Sequence, residues 1–180
     1  MARHEKIILT DCGKDRRISG YYSTPPQVAK YITHRLLEIN PNGVNVIDPC
    51  VGQEELISYF TNAEKKITGI DINNQTNYKS CEFICADFLD IYTQHKKNDI
   101  FSSKIINPSD FDYWIANPPY NCHEVDYIRT NKSNLKDAFG DIGVHNMYSM
   151  FIAAIIDMAK DGSVIGIITL DSFLTSKAHA

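Results

Sequence analysis

The four residues Asn117-Pro118-Pro119-Tyr120 have the composition of a rigid site for an amino group. Proline fixes its own φ and pushes the residue before it into an extended conformation, so two prolines stiffen the turn. The side-chain oxygen of Asn117 and the carbonyl of Pro118 are then fixed acceptors, and proline adds no competing N–H donor. Two such acceptors can direct the lone pair of an amine at an electrophile, while the Tyr120 ring offers a surface for stacking. The motif therefore predicts chemistry on a planar amine.

Three aspartates stand where predicted strands end. Asp48 precedes Gly52, and a glycine in such a turn lets the backbone approach a ligand closely. Asp71 follows this turn by about 20 residues, the spacing at which an acid accepts hydrogen bonds from a ribose diol. Asp87, with Phe88 beside it, can hydrogen-bond and stack a purine. Each aspartate alone is typical of a turn or a helix cap, but the three together predict a nucleoside-binding cradle.

The elements that must position these residues alternate between short apolar runs and helical patterns. Strands are predicted at Val44–Asp48, Ile67–Ile72, Glu82–Cys85, Phe111–Ala116 and Ser163–Thr169, and helices at Pro25–Ile39, Glu54–Phe60 and Tyr148–Lys160. Thr24 is the predicted N-cap of the first helix. A long stretch, Asn121–Asn146, reads as irregular and polar. This order predicts an α/β fold with a Rossmann-like, doubly wound, mostly parallel sheet that binds ligands at the carboxyl ends of its strands.

Composition and charge favour one globular domain. The chain has 180 residues, of which 43% are hydrophobic, and its net charge is −4. No apolar run reaches the length of a membrane span, and no signal peptide is recognisable, so a cytoplasmic protein without membrane contact is expected. The acidic balance counts mildly against a self-sufficient DNA-binding protein, because the basic cluster Lys14, Arg16 and Arg17 is small.

Cysteine usage predicts neither disulfides nor a metal site. The count of five is odd, and no export signal accompanies it. The pair Cys122-His123 lacks the spacing of zinc ligands, so no metal is expected.

The ordered motifs resemble those of the amino-methyltransferases. The element Tyr-Ser-Thr-Pro-Pro ahead of the glycine motif is similar to the gamma class of DNA adenine-N6 methyltransferases. The resemblance covers about residues 20–174 and rests on Tyr21–Pro26, Val46–Gly52, Gly69–Ile72, Ala86–Leu89, Asn117–Tyr120 and Asp161–Leu174. It implies the class I fold that uses S-adenosyl-L-methionine, with residues 1–20 as an N-terminal extension and residues 21–180 as the catalytic domain.

The resemblance also implies which residues bind the cofactor. The methionine end and the floor of the pocket would be formed by the segment before the first helix and by the glycine turn, namely Tyr22, Thr24, Pro25, Asp48, Pro49 and Gly52. Asp71 would take the ribose hydroxyls, and Ile72 would lie on one face of the adenine. Asp87 would bind the adenine amino group, with Phe88 alongside.

For the substrate, the resemblance implies an adenine flipped out of DNA. Asn117 and Pro118 would hold its amino group and Tyr120 would stack on the base, with Pro119 as the remaining residue of the catalytic motif. Adenine in RNA, a glutamine amide of a protein, and a degenerate domain that only binds a partner remain open. The element Tyr21–Pro26 favours DNA among these alternatives, because the protein-glutamine enzymes with the same four-residue motif lack it.

Two departures from the family pattern stand out. The family usually has a second glycine two residues after the first, and here Glu54 occupies that position. Its carboxylate would either begin the next helix, favoured by the helix dipole, or crowd the cofactor. The chain also ends at Ala180, soon after the fifth strand, so the fold is expected to be truncated there. The remaining strands and the region that reads DNA would then come from a C-terminal portion or from another chain.

Overall fold

The computed structural model describes residues 22–74, 79–97, 105–120, 124–140 and 147–169. Several parts of the sequence discussed above lie outside these ranges, namely the extension 1–20 with its basic cluster, Tyr21, the pair Cys122-His123 and the end of the motif region at 170–174.

Five parallel strands form one sheet in the order β3-β2-β1-β4-β5. The strands are β1 (Asn45–Asp48), β2 (Lys66–Asp71), β3 (Glu82–Cys85), β4 (Tyr113–Ala116) and β5 (Val164–Ile167). The direction of winding reverses between β1 and β4, and ligands bind beyond the carboxyl ends of the strands at such a switch point. The predicted doubly wound parallel sheet is confirmed.

The first helix, α1 (Pro26–Ile39), begins one residue later than predicted. Its N-cap is Pro25, which has no side-chain capping bond, so the prediction of Thr24 as N-cap is wrong. The Thr24 hydroxyl instead accepts a hydrogen bond from the Asn117 side chain at 3.0 Å. A bond to a distant strand has replaced the local cap, and it ties the start of α1 to the end of β4.

The predicted helix Glu54–Phe60 is also wrong. These residues form successive turns that end in a 3₁₀-helix at Thr61–Ala63. Gly52 and Glu54 have φ values of 54° and 65°, in the left-handed region, so a right-handed helix cannot start there. Leu56, Ile57 and Phe60 are nevertheless buried, and it is these residues that gave the sequence its helical periodicity.

Three helices cover the opposite face of the sheet. They are α2 (Phe88–Lys96), α3 (Glu124–Phe139) and α4 (Met147–Met158). The prediction that Asn121–Asn146 is irregular is wrong for α3. Of its described side chains, Leu135 and Phe139 are buried, and Tyr127 and Ile128 are partly covered. Most of the other described side chains are polar and exposed. So few apolar positions gave too weak a periodic signal.

Two apolar clusters, one on each face, hold these layers together. Tyr113 and Ile115 of β4 belong to the cluster under α1, and Trp114 and Ala116 belong to the cluster under the other three helices. Successive side chains of a strand point to opposite faces, so β4 is buried along its whole length. A strand buried on both faces is apolar throughout, which is why it was recognisable in the sequence.

Candidate active site

A cleft opens at the carboxyl ends of the strands and brings most of the predicted residues together. Those that line it are Tyr22, Thr24, Asp48, Pro49, Gly52, Asp71, Ile72, Asp87, Phe88, Asn117 and Pro119. Pro25, Pro118 and Tyr120 are not among the lining residues. The three aspartates and the asparagine, which are far apart in the sequence, therefore meet in one cleft.

Asp48 ends β1 and lies at the base of the cleft with 1% of its surface exposed. Its Oδ1 accepts a hydrogen bond from the backbone N–H of Cys50 at 3.0 Å. Burial raises the pKa of Asp48 to about 7, against the opposing effect of the Cys50 bonds. The neighbouring carboxylates of Asp71 and Glu55 raise the pKa further. A carboxyl group with so perturbed a pKa inside a cleft is a marker of a functional site.

Asp71 joins the glycine turn to the end of β2. Its Oδ2 accepts a hydrogen bond from the N–H of Gly52 at 3.1 Å, and its Oδ1 accepts one from Asn73 at 2.8 Å. Gly52 has a φ of 54°, a conformation that a side chain disfavours. Because each carboxylate oxygen can accept two bonds, the contacts of the described residues leave Asp71 one acceptor site on each oxygen.

Asp87 is the N-cap of α2, which is the ordinary role of an aspartate at such a position. Its Oδ1 accepts hydrogen bonds from Leu89 N at 2.9 Å and Asp90 N at 3.4 Å. Its Oδ2 accepts a hydrogen bond from the hydroxyl of Tyr127, with the two oxygens 2.6 Å apart. Phe88, beside it, is 1% exposed, and its ring packs on Trp114 and Phe151. The Phe88 ring is therefore mostly a core residue at the wall of the cleft.

Asn117, the residue that follows β4, has an amide whose orientation is fixed. Its Nδ2 donates to the carbonyl of Tyr22 and to Thr24 Oγ1, both at 3.0 Å. A backbone carbonyl only accepts, so the nitrogen must face Tyr22 and the oxygen must face away. Asn117 Oδ1 is buried and has no hydrogen-bond partner among the residues that the structure describes. Buried polar atoms are rarely left in this state, and the exceptions call for an explanation.

Tyr120 is turned away from the cleft. The residue is 7% exposed, and its ring packs edge-on against Tyr22, with centroids 5.6 Å apart. The ring also packs at a tilt against Tyr148, with centroids 6.2 Å apart. Its hydroxyl donates to the carbonyl of Ile168 at 2.5 Å. Burial raises the pKa of Tyr120, so its hydroxyl stays protonated. The expected stacking surface is thus covered in this conformation.

Glu54 does neither of the things expected of it. It does not begin a helix, and it is absent from the lining of the cleft. Its carboxylate accepts hydrogen bonds from the backbone N–H groups of Lys79, at 3.1 Å, and Ser80, at 2.7 Å. Cys81 Sγ lies 3.5 Å from the same carboxylate. Glu54 therefore fastens the glycine turn to the start of β3 and leaves the cleft open.

Some lining residues were not identified from the sequence. They are Cys50, Val51, Glu55, Leu56, Asn73, Ala86, Tyr127, Met147 and Phe151. Burial raises the pKa of Cys50 well above its usual range, so its thiol stays protonated. Tyr127 belongs to the helix that the sequence did not reveal, while Met147 and Phe151 lie four residues apart on one face of α4. That spacing was a usable signal, although it is equally typical of core packing.

Within the ranges that the structure describes, no three His, Cys, Asp or Glu side chains are grouped closely enough to hold a metal ion. None of the helices described above is long and apolar enough to span a membrane.

Comparison with known proteins gives one family and several remote relatives. Residues 21–180 match the family described as Eco57I restriction-modification methylase. The Type II methyltransferase M.BanIII of Aneurinibacillus aneurinilyticus is 25% identical over 189 residues, covering 88% of this chain and 31% of that protein. The chain thus spans about a third of the length of this curated relative.

Two solved structures show more distant likeness. A putative Type II methyltransferase from Anaeromyxobacter dehalogenans is 12% identical, with a TM-score of 0.43, covering 79% of this chain and 46% of that one. The plantazolicin methyltransferase BpumL, solved with a pentazolic desmethylPZN analog and SAH, is 15% identical, with a TM-score of 0.43, covering 86% and 52%. The strand order of the chain itself defines its fold, and the match over residues 21–180 shows that the chain belongs to the Eco57I restriction-modification methylase family.

Proposed function

We propose that residues 21–180 form the catalytic domain of a DNA methyltransferase that transfers a methyl group from S-adenosyl-L-methionine to N6 of adenine. The observation that carries this proposal is the buried oxygen Asn117 Oδ1, for which the described part of the chain provides no hydrogen-bond donor. An unsatisfied buried acceptor costs about 1–3 kcal/mol. An amino group entering the cleft would supply the missing donor, and membership of a restriction-modification methylase family favours DNA as its source.

The polar groups of the cleft fit an adenosine-containing cofactor with a cationic methionine end. Asp71 keeps one acceptor site on each carboxylate oxygen, which suits the two hydroxyls of a ribose. The buried carboxyl of Asp48 lies at the base of the cleft, where an ionised carboxylate would favour a positively charged ligand. When bound here, S-adenosyl-L-methionine would supply an electrophilic methyl group: the bond from its sulfur to the methyl carbon would break as the new bond to nitrogen forms, S-adenosylhomocysteine would leave, and the methylated nitrogen would lose one proton to solvent.

The target amine is held by the turn after β4. Oδ1 of Asn117, a residue that lines the cleft, would accept one of its hydrogens. The carbonyl of Pro118, which does not line the cleft in this conformation, would have to turn toward the amine to accept the other, and the two bonds together would favour a more tetrahedral nitrogen with an available lone pair. The amide of Asn117 needs no rearrangement for this, because Tyr22 and Thr24 already fix it. Preorganised acceptors and correct positioning then provide most of the rate acceleration.

The base itself must leave the DNA helix, because an amino group inside a duplex cannot be reached. For Tyr120 to stack on it, the ring has to leave Tyr22 and Tyr148 and release the carbonyl of Ile168. The chain spans about a third of the length of its curated relative, a Type II methyltransferase. We therefore propose that recognition of the DNA sequence belongs to another region or to another chain.

The test combines binding with substrate choice. Calorimetric titration with S-adenosylhomocysteine is expected to show one site per chain. Labelled methyl transfer is expected with adenine-containing single-stranded DNA, and none with the same strand carrying 2-aminopurine, which lacks the 6-amino group. RNA and protein fractions serve as competing acceptors. Label on RNA or protein would assign the chain to another substrate, and absent binding would leave only a partner-binding domain.

A further inference from the structure

Tyr127 links the helix after the catalytic turn to the nucleoside side of the cleft. It lies in the first turn of α3 and lines the same cleft as the three aspartates. Its hydroxyl donates to Asp87 Oδ2 at 2.6 Å, which is short enough for a charge-assisted hydrogen bond. Burial and the nearby Asp87 both raise the pKa of Tyr127, so the hydroxyl keeps the proton that it donates.

The acceptor sites of Asp87 are used unequally. Oδ1 accepts two backbone N–H groups of α2, from Leu89 and Asp90, and both of its sites are filled. Oδ2 accepts a hydrogen bond from the hydroxyl of Tyr127 and, as far as the described residues go, keeps one acceptor site. Because Asp87 lines the cleft, this remaining site is the one that Asp87 can offer to a ligand.

The far end of α3 is held firmly, so the position of Tyr127 is set before any ligand arrives. Leu135 and Phe139 are buried in the main apolar cluster. The rings of Phe139 and Tyr92 lie 4.9 Å apart, which packs α3 on α2, the helix that Asp87 caps. The donor and its acceptor are thus carried by two helices that pack against each other.

We propose that Tyr127 is a positioning residue for the adenine end of the cofactor, acting through Asp87. By occupying one site of Oδ2, its hydroxyl directs the remaining site at the 6-amino group of the adenine. The inference rests on the proposed function, namely that S-adenosyl-L-methionine binds in this cleft. It adds a residue of α3 to recognition of the purine, next to the turn that holds the target amine.

The experiment compares two ligands with three proteins by calorimetry. The ligands are S-adenosylhomocysteine and its analogue whose purine lacks the 6-amino group. The proteins are the wild type, Tyr127→Phe, and Tyr92→Phe as a matched control. Tyr92 is also a buried tyrosine whose hydroxyl donates to an aspartate, Asp157, at 3.1 Å, but it does not line the cleft.

Tyr127→Phe is expected to bind S-adenosylhomocysteine roughly 10-fold more weakly than the wild type, the scale of one hydrogen bond to a charged group. For the analogue without the amino group, the two proteins are expected to agree within about twofold, since the contact with Oδ2 is then absent. Tyr92→Phe is expected to match the wild type with both ligands.

The outcomes separate this inference from the proposed function. If the wild type does not bind S-adenosylhomocysteine, the proposed function fails. If the wild type binds but Tyr127→Phe weakens both ligands equally, the hydroxyl acts only on the general structure and the inference is overturned. Unchanged or tighter binding of S-adenosylhomocysteine by Tyr127→Phe overturns it as well, because the hydroxyl would then be idle or would compete with the ligand.

Discussion

Two aspartates at opposite ends of the central strand pair β1 and β4 have opposite pKa shifts. Asp112, just before β4, accepts hydrogen bonds from Val44 N at 2.7 Å, Asn45 N at 3.0 Å and Lys160 Nζ at 3.0 Å. The two backbone bonds, together with Lys160, lower the pKa of Asp112 to about 2. Asp48, the last residue of β1, is buried, and its burial raises its pKa to about 7.

The difference separates the end of the sheet that stabilises the fold from the end at which we propose that ligands bind. At the amino end, a carboxylate meets three donors and is better solvated by the protein than by water. At the carboxyl end, Asp48 has lost water and is hydrogen-bonded by Cys50, and Asn117 Oδ1 has no partner within the described ranges. Groups that are poorly satisfied in the free protein are those that a ligand can satisfy, at a cost in stability without it.

The largest expected effect is a gain in the free energy of unfolding when the buried carboxyl of Asp48 is replaced by an amide. Its pKa is higher in the folded chain, about 7, than the ordinary 3.8, so the folded state binds more protons between these values and stability falls as pH rises through them. Asp48→Asn removes this loss while its amide oxygen can still accept the Cys50 N–H. Urea unfolding at pH 8 is expected to show a gain on the order of 4 kcal/mol over the wild type.

The same comparison at lower pH provides the control for Asp48. Near pH 4 both proteins carry a neutral group at this position, and their free energies of unfolding are expected to converge. A wild type whose stability does not decrease between pH 4 and pH 8, relative to Asp48→Asn, would show that the carboxyl is not desolvated as described.

Asn117→Ala is expected to have the next largest effect, which is a loss of methyl-transfer rate without a comparable loss of cofactor affinity. Removing one preorganised group that acts on the reacting atoms lowers the rate by about 100- to 1,000-fold. Affinity for S-adenosylhomocysteine is expected to stay within about threefold, because the side chain contacts the amine rather than the cofactor. Radiolabelled transfer and calorimetry on the same preparation measure both, and an equal loss of the two would assign Asn117 to cofactor binding instead.

The sequence was sufficient for the parts of the fold in which pattern and structure coincide. All five strands and the helices α1 and α4 were located. Strand β4 is buried along its whole length, while the edge strand β3 is only partly covered and was recognised as a short apolar run between polar segments. The helix predicted at Glu54–Phe60 failed, since two left-handed residues at its start are a backbone property that side-chain periodicity does not report. The helix α3 was missed because it buries too little.

The candidate site shows the same division. Strand ends predicted which aspartates would meet, because parallel strands bring their carboxyl ends to one edge. The orientation of side chains could not be predicted in this way. Nothing in the sequence indicates that Tyr120 turns toward Ile168, or that Tyr127 takes the second oxygen of Asp87. Those contacts depend on how α3, α4 and the end of β5 pack together.

At the amino end of the sheet, Asp112→Asn is expected to destabilise the fold. The pKa of Asp112 is lower in the folded chain, about 2, than the ordinary 3.8, so its contribution is complete above pH 4 and is lost as pH falls toward 2. Urea unfolding at pH 7 should show a loss of about 2 kcal/mol, without change in cofactor affinity. A loss that persists unchanged at pH 2.5 would mean that packing rather than charge is responsible.

Glu54 provides the finest test of the comparison, because it lies near the cleft and yet resembles Asp112 in its contacts. Its carboxylate is occupied by the backbone of Lys79 and Ser80, so it should belong to the stabilising groups. Its φ of 65° adds a backbone strain that glycine would relieve and alanine would keep. Glu54→Gly is therefore expected to be more stable than Glu54→Ala by about 1 kcal/mol, with both less stable than the wild type.

Cofactor affinity shows whether Glu54 stabilises the fold or acts on the ligand. Glu54→Gln keeps one strong acceptor for the two backbone N–H groups and should bind S-adenosylhomocysteine within about twofold of the wild type. If calorimetry showed instead that Glu54→Gln loses affinity as strongly as a variant of Asp71, the carboxylate of Glu54 would act on the ligand. Backbone hydrogen bonds would then not distinguish carboxylates that stabilise the fold from carboxylates that bind the ligand. Asp71 already shows the difficulty, because it too accepts two backbone N–H groups.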